Sequence, residues 1–230
     1  MRTNKDIEEK YTFHMEVHDF GFLLPGLDDL LRLRKIYPNF KITCFTIPLP
    51  AEFYFNENSK HFSIEKYKRW AEIINSYDWI EIGIHGFSHT KGETDHEYQK
   101  IVDLVKGAEN LFNQVGLKYK KLYVAPYWQY SYDALNALRD LDYIVGINRN
   151  NPIPTPENLK KFIYTWSYEE LALPSGFNII GHGHTTSRGV QNGIAQCYNN
   201  IINLIPKNAK FGFLSELIEK QYEKNSNEQG

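Results

Sequence analysis

The segment Trp79–Thr90, with the sequence WIEIGIHGFSHT, constrains most strongly how this chain can fold. The β-branched residues of Ile80–Ile84 favour a short buried strand over a helix. His85 and His89 follow that strand, where a parallel strand gives way to a loop and where ligands bind in α/β folds. Two imidazoles four residues apart can bind one metal ion, and Gly86 lets the backbone turn between them. Alone, the pair is a weak signal, and two solvated histidines are the alternative.

Strands and helices are predicted to alternate along the whole chain. This alternation indicates parallel strands wrapped by helices, as a barrel or an open sheet. The chain has 230 residues, without an internal repeat or a linker, which predicts a single domain over 1–230 with a polar tail from about 223. Strands are predicted over 12–19, 41–47, 80–84, 121–125, 143–147, 162–166 and 178–181. Helices are predicted over 25–34, 64–77, 96–115, 132–141 and 194–205. A loop is predicted over 51–63, and a last strand and helix are predicted in KFGFLSELIEKQ.

The charge and the apolar pattern exclude several classes of partner. A formal net charge of −2 gives no electrostatic basis for binding nucleic acid or an anionic membrane. No stretch approaches the ~18 consecutive apolar residues of a membrane span, and the first residues contain no apolar leader region. We therefore expect a cytoplasmic protein without a membrane span. Cys44 and Cys197 are expected to be buried as small hydrophobic residues rather than joined in a disulfide framework.

Five of the eight histidines lie at predicted strand ends, and such ends form one rim in folds of this class. One carboxylate and two imidazoles leave open positions on a metal ion, which is typical of a catalytic zinc site. Such an ion lowers the pKa of bound water and polarises a carbonyl oxygen, and hydrolysis then needs a base and an acid. Two alternatives stay open, since Asp19 could cap the next helix and His182 could be a hydrogen-bonded core residue. The histidines are His18, His85, His89, His182 and His184.

Five short motifs together resemble one protein family. They are Asp19, HGFSH at 85–89, A-P-Y at 125–127, IIGHGH at 179–184 and FGFLSEL at 211–217. In this order, and over nearly the whole chain, they resemble the polysaccharide deacetylases, the NodB-homology proteins of carbohydrate esterase family four (CE4). The resemblance implies an α/β fold, a distorted (β/α) barrel of about seven parallel strands. It also implies metal-dependent removal of N- or O-acetyl groups from an acetylated carbohydrate.

The resemblance also assigns roles to individual residues. It implies that Asp19, His85 and His89 bind a divalent metal, with Zn²⁺ expected first and Co²⁺, Ni²⁺, Mn²⁺ or Fe²⁺ as alternatives. It implies that His182 is the catalytic acid, and that the backbone N–H of Tyr127 helps to stabilise the oxyanion. The expected substrate-binding residues are Pro126, Trp128, Arg149, Trp166 and His184. Core packing is the alternative for Trp166, and pairing with a surface carboxylate is the alternative for Arg149.

The chain departs from the family pattern at three places. The family's first motif usually carries two aspartates, the first of which is the base, whereas this chain has His18 there. The arginine that steadies that aspartate is replaced by Val124. These two changes are physically linked, because an adjacent cation would oppose protonation of an imidazole. A histidine with a pKa near ~6.5 can act as a base at neutral pH without that support. The acidic, Trp-bearing fourth motif is replaced by the run 148–151.

Three functions are consistent with this pattern. The first is a metal-dependent hydrolase that removes acetyl groups from a carbohydrate or glycan precursor, with His18 as the base and His182 as the acid. The second is a member of the same fold that binds carbohydrate but has lost catalysis. The third is a non-haem iron oxygenase, since two histidines and one carboxylate also form that facial triad. The sequence leaves the sugar, the linkage and the oligomeric state open.

Overall fold

A computed structural model describes residues 11–24, 26–49, 62–185 and 193–228. Strands and helices alternate as predicted, except between residues 144 and 184, where four strands follow one another without a helix. Most of the expected loop at 51–63 lies outside the described residues. The strands are β1 Thr12–Phe20, β2 Ile42–Thr46, β3 Ile80–His85, β4 Leu122–Val124, β5 Ile144–Ile147, β6 Lys161–Ile163, β7 Trp166–Ser167, β8 Asn178–His184 and β9 Lys210–Phe211. The helices are α1 Leu27–Ile36, α2 Ile64–Asn75, α3 Tyr98–Val115, α4 Tyr132–Asp140, α5 Ile194–Leu204 and α6 Leu214–Glu228, with a 3₁₀ turn at Pro126–Trp128.

The chain divides into two compact units, and β2 contributes residues to both. In the first unit, the hydrogen-bonded strand order is β2-β1-β8-β7, with β9 beside β1. β1 runs parallel to β8 and β9, and β7 runs parallel to β8. In the second unit, the order is β6-β5-β4-β3-β2, and the neighbouring strands from β3 to β6 are parallel. The first unit comprises residues 1–20, 24–44 and 164–230, and the second comprises 21–23 and 45–163. The prediction of a single domain stays a prediction.

The strand β1 is buried on both faces along nearly its whole length, as strands of parallel sheets usually are. Apolar side chains occupy one face, whereas a second face carries His14, Glu16 and His18. The register with β8 pairs Glu16 with His182 and His18 with His184. Because paired residues on parallel strands point to the same face, β1 and β8 together present a row of buried polar groups.

The predicted helix ends are confirmed at two places where side chains or glycine define them. The Ser131 side chain accepts a hydrogen bond from the backbone N–H of Ala134 at 3.0 Å and thereby caps α4. α3 ends at Gly116, which has the left-handed φ of 72° that glycine adopts without a Cβ penalty. α3 buries an apolar stripe at helical spacing, so its packing as well as its propensity holds it in place.

Other boundaries differ from the predicted ones. The predicted strand at 162–166 is two short strands, β6 and β7, which belong to different units. β8 continues to His184, three residues beyond its predicted end, because its pairing with β1 extends that far. α6 continues through Glu228, where a polar tail was expected.

Cys44 and Cys197 are buried in the first unit and form no disulfide, as the sequence predicts. Among the described residues, none of the helices is both long and apolar enough to span a membrane.

Candidate metal and catalytic site

The carboxylate of Glu16 joins two histidines in the first unit. One carboxylate oxygen lies 3.0 Å from Nε2 of His18, and the other lies 2.8 Å from Nδ1 of His182. All three side chains are almost completely buried. Because a carboxylate accepts hydrogen bonds, the ring nitrogen facing it in each histidine carries the proton. Glu16 therefore fixes the tautomer and the orientation of both rings.

A third histidine completes a cluster around these two. The ring centroids of His18 and His182 are 4.6 Å apart. The ring centroid of His184 lies 5.4 Å from that of His18 and 5.1 Å from that of His182. The Tyr164 ring packs against His182 at 4.5 Å between centroids. The hydroxyl of Tyr168 donates to the backbone carbonyl of Glu16 at 2.7 Å, and burial raises the pKa of that hydroxyl well above its usual value. The phenol therefore stays protonated and holds β1 in place.

Asp19 lies at the end of β1 beside this cluster in sequence, and it is buried. Its φ of 56° is in the left-handed region, where aspartate is more frequent than most residues. The hydroxyl of Thr185 donates to the backbone carbonyls of His18 and Asp19 and so ties this turn to the end of β8. Asp19 is not the N-cap residue of the next helix, because that position is occupied by Gly26.

In the second unit, His85 and His89 come together as the sequence predicts. Their ring centroids are 4.8 Å apart, and both side chains are buried. Nδ1 of His85 donates to the backbone carbonyl of Val124 at 2.9 Å, which leaves the lone pair on Nε2. A metal-binding histidine typically donates its other N–H to an oxygen in this way. The backbone carbonyl of Val124, the residue at the position of the family's arginine, thus orients the His85 ring. The sequence did not predict this contact.

The loop between these histidines is organised around the buried carboxylate of Glu93. One of its oxygens accepts hydrogen bonds from the backbone N–H groups of Ser88 and Thr90, at 2.9 Å and 3.2 Å. The other accepts from the backbone N–H of Phe87. Gly86 has a φ of 65°, and a Cβ there would lie 2.5 Å from the Glu93 carboxylate. The loop therefore requires both the glycine and the acid.

We expect Glu93→Gln to loosen this loop and the histidines that it carries. The amide replaces one acceptor oxygen by an N–H₂ donor, so at least one buried backbone N–H loses its partner. The expected cost is about 1–3 kcal/mol in the free energy of unfolding, measured by urea denaturation. We also expect metal affinity to fall by about 10- to 100-fold, as for other residues that orient metal ligands. Glu97→Gln is the matched control, because Glu97 is exposed and its side chain does not cap α3. Equal stabilities of the two variants would contradict the role of Glu93.

The 3₁₀ turn at Pro126–Trp128 follows β4 and contains two consecutive residues with left-handed backbone. Tyr127 has a φ of 55° and Trp128 a φ of 58°. The hydroxyl of Tyr130 accepts from the N–H of Ala125 and donates to a β5 carbonyl, both at 2.8 Å, and so fixes the base of the turn. The Tyr127 ring lies 5.0 Å from that of His89 and is 48% exposed. The turn thus presents a half-exposed aromatic ring next to a predicted metal ligand.

The other predicted substrate-binding residues differ in their exposure. Trp166 is completely buried, and its indole N–H donates to the carbonyl of Glu170, which is the core role that the sequence left open. Pro126 is buried too, whereas Trp128, Arg149 and His184 are half-buried. Arg149 lies in the turn that follows β5. Partial burial leaves these three residues able to contact a ligand.

Sequence reasoning missed two functional candidates, Glu16 and Glu93. A signal was present for Glu16, because it alternates with His14 and His18 along a strand whose intervening residues, Met15 and Val17, are apolar. An acidic residue on a buried face requires a partner. Glu93 had a weaker signal, since only its closeness to the histidine loop in sequence set it apart.

Within the first unit, the group of His18, His182 and His184 could hold a metal ion. The group of predicted ligands, Asp19, His85 and His89, supplies a carboxylate and two imidazoles. That donor set fits zinc or another borderline divalent ion and leaves coordination positions open.

Comparison with known proteins shows likeness in structure. No protein-family model matches this chain, and no curated protein sequence matches it. The peptidoglycan deacetylase PdaC from Bacillus subtilis matches with a TM-score of 0.57 at 12% identity, over 96% of this chain and 98% of that one. A peptidoglycan N-acetylglucosamine deacetylase matches with a TM-score of 0.58 at 16% identity, over 91% and 88%. A CE4 family pseudoenzyme from Bacillus anthracis matches with a TM-score of 0.55 at 15% identity, over 92% and 66%.

These likenesses show the fold. The chain has the α/β fold of the CE4 deacetylases, a distorted (β/α) barrel, as the sequence motifs predict. Because the matching structures include deacetylases and a pseudoenzyme, the fold is compatible with catalysis and with its loss.

Proposed function

From the fold that this chain shares with the CE4 polysaccharide deacetylases, we infer that it is a divergent, metal-dependent carbohydrate deacetylase. The observation that carries this inference is the Glu16 carboxylate, which holds both His18 and His182 in defined tautomers. A protein that only bound sugar would not need two buried, oriented imidazoles on one carboxylate. The proposed substrate is an acetylated carbohydrate or glycan precursor, and the proposed cytoplasmic location stays a prediction.

We propose that Asp19, His85 and His89 hold one divalent metal ion, with Zn²⁺ as the first candidate. The donor set supports this proposal, as do the second hydrogen bond of His85 and the buried carboxylate that shapes the histidine loop. When bound, such an ion lowers the pKa of a coordinated water and polarises the acetyl carbonyl.

The remaining proton transfers fall to the two histidines on Glu16. We propose that His18 accepts the proton of the attacking water through Nδ1, since Nε2 faces Glu16. His182 then protonates the departing nitrogen or oxygen through Nε2, since its Nδ1 faces the same carboxylate. One buried negative charge stabilises whichever ring is an imidazolium, so the base and the acid share a single supporting group. The backbone N–H of Tyr127 is proposed to donate to the oxyanion.

Contacts with the sugar are proposed for the half-buried residues around these groups. Tyr127 and Trp128 offer ring faces for stacking, and Arg149 offers a cation for an anionic substituent. His184 completes the proposed contact set, and the buried Pro126 is proposed to shape the turn that carries the two rings.

Acetate release is the direct test of the proposed function. The protein is incubated with a panel of N- and O-acetylated oligosaccharides and nucleotide-linked sugars, after chelation and after addition of one equivalent of Zn²⁺. We expect acetate from at least one substrate class, and only with metal. Sugar binding without acetate release would instead support the carbohydrate-binding alternative. The iron oxygenase alternative predicts dependence on ferrous iron and a co-substrate, and its usual double-stranded β-helix differs from this parallel α/β fold.

A further inference from the structure

A second cation site is suggested by the cluster of His18, His182 and His184, all of which belong to the first unit. Each histidine has one ring nitrogen that lies within 4.8 Å of a ring nitrogen of each of the other two. We propose that these three histidines bind a second divalent cation, separate from the ion assigned to Asp19, and that its binding inhibits the enzyme. The inhibitory part of this inference rests on the proposed function, whereas the binding part does not.

The strand pairing explains why the three rings converge. His182 and His184 are two residues apart on β8 and therefore share a face, and the register places His18 directly beside His184. Two ligands on one strand and a third on its parallel neighbour are held by main-chain hydrogen bonds. The site thus rests on a rigid element rather than on a loop.

Glu16 prepares two of these histidines as ligands. A metal-binding imidazole usually donates its other N–H to a carboxylate, which fixes the tautomer and increases the basicity of the ligand nitrogen. Both carboxylate oxygens of Glu16 are used in this way, at 3.0 Å from His18 and 2.8 Å from His182. The lone pairs consequently reside on Nδ1 of His18 and Nε2 of His182. The buried negative charge also offsets part of the charge of an incoming cation.

The donor chemistry selects the class of cation. Three neutral imidazoles are a borderline-soft set that favours Zn²⁺, Cu²⁺, Ni²⁺ or Co²⁺ over the hard ions Mg²⁺ and Ca²⁺. Three histidines around one Zn²⁺ also leave a fourth position for water. We therefore expect the cluster to bind Zn²⁺ and not to bind Mg²⁺ at millimolar concentration.

Occupation of this cluster has a direct consequence for the proposed chemistry. The nitrogens that would ligate the cation are the same nitrogens that His18 and His182 would use for proton transfer. A histidine that donates its lone pair to a metal can neither accept a proton nor deliver one. Zinc bound by Asp19, His85 and His89 would thus support activity, whereas zinc bound in the histidine cluster would inhibit it.

The test is calorimetric titration of the metal-free protein with Zn²⁺, which needs no substrate. We expect two equivalents in the unmodified protein and one in His184→Gln, which removes a ligand without touching Glu16. The double variant His85→Ala/His89→Ala should also bind one, now in the histidine cluster. In that double variant, Glu16→Gln should weaken the remaining site by about 10- to 100-fold. His96→Gln is the matched control, because His96 belongs to neither group, and it should still bind two.

A single equivalent in the unmodified protein, unchanged by His184→Gln, would overturn the second site. Inhibition is read separately, as acetate release against added Zn²⁺. Activity that persists when the calorimeter shows both equivalents bound would overturn the inhibitory role alone. If no acetate forms at any zinc concentration while two equivalents bind, then the proposed function fails and the second site stands.

Discussion

Replacement of His89 by alanine is expected to abolish metal-dependent acetate release, with a loss of about 10³-fold or more. A metal ion contributes several kcal/mol of transition-state stabilisation, and each 1.36 kcal/mol changes the rate about tenfold. The imidazole of His89 lies 4.8 Å from that of His85 between centroids, so its removal takes one of two adjacent ligands. The measurement is acetate release at one equivalent of Zn²⁺, with the number of zinc equivalents bound in a calorimetric titration, expected to fall from two to one, as a second readout.

Two further variants make this prediction specific. Asp19→Asn keeps the shape of the side chain while weakening it as a ligand, so it should lose activity with unfolding behaviour close to that of the unmodified protein. His96→Ala removes a histidine outside both groups and should retain full activity. Retained activity together with two bound zinc equivalents in both His89→Ala and Asp19→Asn would contradict the proposed metal site.

Replacement of His182 by alanine is expected to lower kcat by about 10²–10⁴-fold, the usual contribution of a general acid. The Zn²⁺ held at the first site should remain bound, because His182 is not among its proposed ligands. KM should change less than kcat, since the proton is delivered in the transition state and not in the ground state. Steady-state kinetics at one equivalent of Zn²⁺ separates these two effects.

Substrates with a better leaving group test the chemical role rather than the fold. An aryl acetate needs little protonation of its leaving oxygen, so His182→Ala should lose much less activity on it than on an N-acetyl sugar. Equal losses on both substrates would show that His182 only supports the structure. A wholly unfolded variant is recognised by circular dichroism, and His182→Gln then serves as the substitute.

The sequence predicted the elements that obey simple periodic rules. The β-branched run before His85 forms a buried strand, and the Ser131 cap and Gly116 stop lie at the predicted helix ends. It also predicted that His85 and His89 approach each other, since a turn at Gly86 brings residues four positions apart together. These features depend on neighbouring residues in the chain, which is why local reasoning succeeds.

Long-range contacts explain what the sequence did not predict. β8 extends through Gly-His-Gly-His because pairing with β1 stabilises residues of low strand propensity. The bridge from Glu16 to His182 joins side chains 166 residues apart, and no local pattern specifies that pairing. Trp166 could be assigned to the core only once its complete burial was known.

The hydrogen bond from His85 to residue 124 ends on a main-chain oxygen rather than on a side chain. Every amino acid supplies that same carbonyl, so mutations at this site leave the imidazole aligned as long as the strand persists. Replacement of an arginine at position 124 would therefore not change the orientation of His85. Position 124 is accordingly a suitable place to diversify in a search for altered pH optima, with small and branched apolar residues as the first substitutions to sample.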